Sequence, residues 1–236
     1  MKILSIDTAS NICGVSILEN KDVLCTLDAD TSRTHSENLM PMIEKAFNQT
    51  NLSLKNIELI VCDKGPGSFT GIRIGIATAK AFCDSKTINC IGISSLQSLA
   101  YNVKISQGAK FSGTVCSIID CKNSNCYFAL YKFENDICTT LIEPTSDTVE
   151  NALNSLNNYS NIFFVGDGAI IYSDLIKQHF DSAILIDSSI NDLNSFSLAI
   201  AGYDAFIKSG PDKDLLPLYL RKPQAQRQLE EKLKNM

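Results

Sequence analysis

The residues best suited to handling a charged ligand are carboxylates and glycines at the ends of apolar runs. Asp7 closes residues 2–6 and Asp120 closes residues 114–119, where a strand-end carboxylate is placed to join a magnesium shell. Cradling phosphate asks for glycine close by, because backbone N–H groups must approach the anion and turn sharply. Asp7-Thr8-Ala9-Ser10-Asn11 has no glycine before Gly14, and Asp120-Cys121-Lys122-Asn123-Ser124-Asn125 has none. Gly166-Asp167-Gly168 sets a carboxylate between two glycines. Taken alone, Asp7 and Asp120 read as turn caps.

Gly65-Pro66-Gly67-Ser68-Phe69-Thr70-Gly71 is the sharpest local signal. Thr70 takes the place of the third glycine of G-x-G-x-x-G, and no Lys follows as a P-loop requires. Pro66 and Thr70 stand where a nucleophile elbow around Ser68 needs glycine. What remains is a tight turn feeding a helix capped by Ser68 or Thr70. Metal ligands are few. The two histidines are His35 and His179, and the nine cysteines form no C-x-x-C pair. His35 reads as a helix-start residue near Ser36 and Glu37. The cysteines, mostly within apolar runs, read as reduced and structural.

The elements that must hold these residues are written twice. Strand-like runs at 2–6, 13–18 and 23–27 return at 114–119, 127–133 and 137–142. Helical spacing at 36–48 returns more weakly at 148–156. A strand, helix, strand and helix follow in each half, at 57–62, 72–83, 88–93 and 95–102, and at 162–165, 170–180, 183–186 and 196–208. Meandering strands pair antiparallel and strand–helix–strand crossovers pair parallel. Each half is therefore expected to be a mixed five-stranded sheet flanked by helices. The class is α/β, and the twin pattern resembles the duplicated actin-like ATPase and sugar-kinase fold (RNase H-like), with nucleotide between the halves; that resemblance implies a vestigial nucleotide cleft of Asp7, Thr8, Asp120, Gly166 and Gly168, with weak binding at most. The expected division is 1–102, 103–218 and a tail, 219–236, read as helical from Ala225, Leu229 and Leu233 at four-residue spacing.

Composition narrows the classes. The chain has 236 residues, 44% hydrophobic and 20% charged, with net charge −5. That rules against disorder. No apolar run approaches the roughly 18 residues of a membrane span. Lys2 leads directly into a strand-like run, so no signal peptide is expected and the cytoplasm is the expected compartment. An acidic chain with no basic stripe is not a stand-alone nucleic-acid binder.

Gly71, Gly75 and Ala79 share one helical face while Ile72 and Ile76 offer another. One face is expected to pack the sheet and the small-residue face to receive a partner, together with Met40 and Phe47 of the helix at 36–48.

Taken together, Leu4-Ser5-Ile6-Asp7-Thr8-Ala9-Ser10, Arg33-Thr34-His35-Ser36-Glu37-Asn38-Leu39-Met40-Pro41, the Gly65–Gly75 segment with Ala79-Lys80, Ser94-Ser95-Leu96, Asp120 with Tyr127, and Tyr219-Leu220-Arg221 resemble the signature segments of the TsaB family. Where that family commonly has Asp-Ala-Arg and a later Glu, this chain has Asp120-Cys121-Lys122 and Asn125. The resemblance implies a non-catalytic accessory subunit for the t6A modification of tRNA, which dimerises with the transferase TsaD. It also implies TsaE as a further partner, a homodimer when alone, and tRNA contact only through the complex. TsaD carries Asn-His-x-Glu-x-His where this chain reads Ser94-Ser95-Leu96-Gln97-Ser98-Leu99. Ser95 and Leu99 thus replace two imidazole ligands, and no resident cofactor is expected beyond weak or interface-held ATP or ADP. The alternative is an enzyme of the same superfold, an ATPase or kinase, or a metallopeptidase.

Overall fold

A strand covered on both faces must be apolar at every position rather than at alternate ones. β1 (Lys2–Asp7) and β4 (Leu59–Asp63) are of this kind and are buried almost throughout. They form the centre of the first sheet in a computed structural model that describes residues 1–30 and 35–221. β2 (Ile12–Glu19) and β3 (Asp22–Asp30) complete an antiparallel meander beside β1, and β5 (Asn89–Ile93) lies parallel to β4. The order is β3-β2-β1-β4-β5. β6 (Gly113–Asp120), β7 (Asn125–Glu134), β8 (Ile137–Thr148), β9 (Ile162–Val165) and β10 (Ile184–Leu185) repeat it as β10-β9-β6-β7-β8. The duplication and the two mixed five-stranded sheets match the reading of the sequence.

Helices α1 (His35–Thr50) and α2 (Phe69–Lys86) cover the outer face of the first sheet. α4 (Val149–Ser155), α5 (Asp167–Ile171) and α6 (Ser173–His179) belong to the outer side of the second. The inner helices are exchanged. α3 (Ser95–Gln107) packs on β6, β7 and β9, whereas α7 (Ser195–Ser209) packs on β1, β2, β4 and β5, and the two touch. A single buried cluster therefore draws Ile3, Ile6 and Val61 together with Val115, Tyr131 and Leu198.

Three expectations need correction. The helix expected at 170–180 is broken at Tyr172, whose φ of −103° and ψ of 20° are not helical; its hydroxyl donates to Asp120 Oδ1 at 2.6 Å. The division expected after residue 102 falls inside α3, which runs on to Gln107 and stops at Gly108. The tail helix read from Ala225, Leu229 and Leu233 lies outside the described residues. Finally, the stripe Gly71, Gly75 and Ala79 does not face outward. A Cβ on Gly71 would run into the Thr8 carbonyl oxygen, one on Gly75 would lie 2.5 Å from Thr8 Oγ1, and Ala79 is fully buried. The chain's own β1 end fills the face that was expected to receive a partner. Phe47 is also turned partly into the core, while Met40 remains 49% exposed.

All nine cysteines are free. Burial pushes the thiols up, Cys13 to about 11 and Cys83, Cys126 and Cys138 to about 12. Among the described residues no helix is long and apolar enough to cross a membrane.

Candidate functional site: the cleft between the halves

Parallel strands deliver their carboxyl ends, and the loops that follow, to one edge of a sheet. Here the two edges face each other across a cleft of about 410 Å³. One wall is the loop Ala9-Ser10-Asn11 after β1 and the turn Pro66-Gly67-Ser68 after β4. The opposite wall holds Ile119, Asp120, Tyr127 and Asp167, and Asn191-Asp192-Leu193 close the end.

The first wall is held from below. Asp7 Oδ1 accepts from Ala9 N–H at 3.0 Å, and Ala9 O accepts from Ser68 N–H at 2.7 Å. Asp63 Oδ1 accepts from Gly65 N–H at 2.6 Å and from the Ser95 hydroxyl at 2.7 Å. Ser68 caps α2 by accepting from Gly71 N–H at 3.2 Å. His35 Nε2 lies 2.8 Å from Ser10 O; facing a carbonyl, that nitrogen is the donor, so α1 is tied to the same loop. On the second wall Asp120 accepts from Tyr172 at 2.6 Å and from Lys122 N–H at 3.0 Å, and pairs with Lys122 Nζ at 2.9 Å. Partial burial pushes its carboxyl up, but these bonds together outweigh that and hold it below the usual carboxylate range. Burial raises Asp167, with the Asp120 amide pulling the other way.

Of the five residues expected in the cleft, Asp120 lines it. Asp7 and Thr8 are buried beneath it, and Thr8 Oγ1 donates to Gly71 O at 2.7 Å. Gly166 and Gly168 lie behind the second wall against Ile118, with Gly166 N–H spent on Asn191 Oδ1 at 2.6 Å. The amides of Ala9, Cys121, Lys122 and Asn125 are likewise committed within the protein. Among the described residues the lining contains Asp120, Asp167 and Asp192 but no lysine or arginine. A polyphosphate entering it would meet like charge and few free donors. The described residues contain no group of three or more His, Cys, Asp or Glu able to hold a metal.

Two features escaped the reading of the sequence. Asp63, at the end of β4, occupies the same kind of strand-end place as Asp7, and that position was its one available signal. The other is the strap formed by residues 210–221. Asp212 N–H donates to Cys90 O at 2.9 Å, and Leu218 N–H donates to Lys64 O at 2.7 Å. Leu215 is buried. Tyr219 stacks on Phe69 with ring centres 4.6 Å apart. The Arg73 guanidinium lies 3.9 Å over Phe69, and its Nε donates to the Tyr219 hydroxyl at 2.7 Å. Arg221 Nη1 then reaches the Cys121 carbonyl in the other half at 3.4 Å.

The family model described as TsaD, tRNA N6-adenosine threonylcarbamoyltransferase, matches residues 29–228. A curated relative from Bacillus subtilis, tRNA threonylcarbamoyladenosine biosynthesis protein TsaB, is 28% identical over 75% of this chain and 76% of its own length. The Escherichia coli protein of the same name is 32% identical over 56% of this chain and 55% of its own. Among solved structures, YeaZ from Pseudomonas aeruginosa superposes with a TM-score of 0.79 at 22% identity, covering 93% of this chain and 99% of that one. ROK hexokinase from Thermus thermophilus, at TM-score 0.50 and 10% identity over 86% and 99%, shares the fold alone.

Proposed function

The chain belongs to the family of the tRNA N6-adenosine threonylcarbamoyltransferase TsaD, among its TsaB relatives, and from that premise we propose that it is a non-catalytic accessory subunit of tRNA threonylcarbamoyladenosine biosynthesis. The relatives are named for that biosynthesis. One observation carries the accessory reading. At the two positions where the resemblance to TsaD puts histidine, Ser95 donates to buried Asp63 and Leu99 is core, 1% exposed. Neither side chain is a transition-metal ligand, and both are committed to packing. The scaffold is kept and the ligand pair is replaced by structure.

In this reading the chain binds TsaD as a heterodimer, engages TsaE in the larger assembly and pairs with itself when alone. It leaves tRNA to those partners. The docking face is the outward side of α1 and α2, where Met40, Ala77 and Ala81 are exposed, rather than the buried glycine stripe. The acidic, donor-poor cleft favours no resident nucleotide, with ATP or ADP held weakly or at a partner interface.

Light scattering of the purified chain mixed with its cognate TsaD at micromolar concentration tests the proposal. The expected result is one species of summed mass; free components only would defeat it. Calorimetry with Mg-ATP on the chain alone separates the enzyme alternative, since tight binding with turnover would replace the accessory reading.

A further inference from the structure

Asp7 and Asp63 end neighbouring parallel strands, one residue beyond the Ile6–Cys62 pairing. Both are almost wholly buried, at 2% and 1% exposure. Each commits one oxygen to the loop that follows it, Asp7 to Ala9 N–H and Asp63 to Gly65 N–H and the Ser95 hydroxyl. The second oxygen of each, Oδ2, is buried and has no hydrogen-bond partner. Two ionised carboxylates in this arrangement would repel each other and leave two orphan acceptors in a low-dielectric interior. One proton on either carboxyl removes the repulsion and leaves a single buried charge.

We propose that Asp7 and Asp63 form a coupled carboxylic acid–carboxylate pair, one member protonated at neutral pH, and that this pair sets the two loops walling the cleft. The loops are already joined by the bond from Ser68 N–H to Ala9 O, so an electrostatic push beneath one reaches the other. The titratable and charged groups facing the pair come from several elements. Asp28 on β3 acts on Asp7, with Cys13 on β2 close to both. Cys62, next to Asp63 on β4, feels both carboxyls as well as Cys90 of β5 and Cys83 of α2. Lys64 is the cation acting on Asp63. α3 contributes the Ser95 hydroxyl, and α7 contributes Ser195 against Asp28.

Burial is the main cause raising both carboxyls. It is reinforced at Asp7 by the charge of Asp63, and at Asp63, which settles at about 7, it is opposed by Ser95, Gly65 and Lys64. A carboxyl raised in the folded state binds protons that the unfolded chain has released. Stability therefore falls as pH climbs from about 4, the ordinary carboxylate value, toward 7 and beyond, the reverse of an ion-paired aspartate.

Carbon-13 NMR of the full chain labelled at aspartate carboxyls, read with the Ala9 and Gly65 amide signals, tests the pair. The expected result is an aspartate signal with a midpoint near or above 7, with both amides shifting at the same midpoint. Asp63→Asn keeps the acceptor for Gly65 and removes the charge acting on Asp7. It should flatten the melting temperature between pH 5 and 8 and raise it at pH 8 by about 4 °C or more. Full ionisation of both carboxyls by pH 6, or amide signals that ignore the carboxyl titration, would overturn the proposal. The wild-type spectra decide the matter even if the variant does not fold.

Discussion

Lys104 is a cation that α3 buries, its side chain 8% exposed and its Nζ 3.1 Å from Asp204 Oδ2. The Tyr101 hydroxyl donates to the same oxygen at 3.2 Å, and Lys21 pairs with Asp204 Oδ1 at 2.7 Å. Removing one member of such a set costs more than the set contributes, because the remaining charge is left desolvated. Asp204→Ala should lower stability by about 3 kcal/mol, read as a lower urea midpoint. Asp120 behaves in the opposite sense to Asp7 and Asp63. Its folded value is depressed, so its contribution is present above the ordinary carboxylate value and is lost as pH falls through the folded value. Tyr172→Phe removes the 2.6 Å donor and should move the Asp120 titration upward, measurable by carboxyl NMR. The sequence presents Asp7 and Asp120 as equivalents, each closing the first strand of a half. What separates them is cover supplied from far along the chain, since Asp7 lies beneath loops and Asp120 lies beside Tyr172 and Lys122. Asp7 and Asp120 were legible as strand-end carboxylates; their environments were not.

At the scale of elements, the mixed sheet of each half and most of its helices followed from periodicity and turn residues, because meanders pair antiparallel and crossovers parallel. Which face of α2 points inward did not follow. Gly71-Gly75-Ala79 and Ile72-Ile76 both read as packing stripes, and the choice was made by Thr8, which inserts its carbonyl and hydroxyl against the glycines. Gly71→Ala places a methyl group against rigid backbone and should cost about 2 kcal/mol, seen in chemical unfolding. Ala77→Arg on the exposed face should change stability by no more than about 0.5 kcal/mol yet weaken complex formation with TsaD, seen by light scattering. If Ala77→Arg binds normally, the outward face of α2 is not the docking surface. The strap at 210–221 was illegible for a related reason. Its anchors at Lys64, Cys90 and Phe69 lie in the other half of the chain, and a short stretch broken by Pro211 and Pro217 carries no helix or strand period.

For the whole molecule, the exchange of α3 and α7 makes each half depend on the other for the cover of its inner sheet face. The duplicated sequence suggests two units, but the larger of the two buried clusters spans both halves. Calorimetry should show one transition with equal calorimetric and van't Hoff enthalpies, and two resolved peaks would contradict the shared core. The cysteines extend this point. A thiol reacts as its thiolate, and here most thiols are both enclosed and held protonated. A coloured disulfide reagent would therefore find little to attack until the chain opens. Cys62 in one half and Cys116 in the other then serve as native chemical clocks, and a body that opens as one unit would set both running at the same instant.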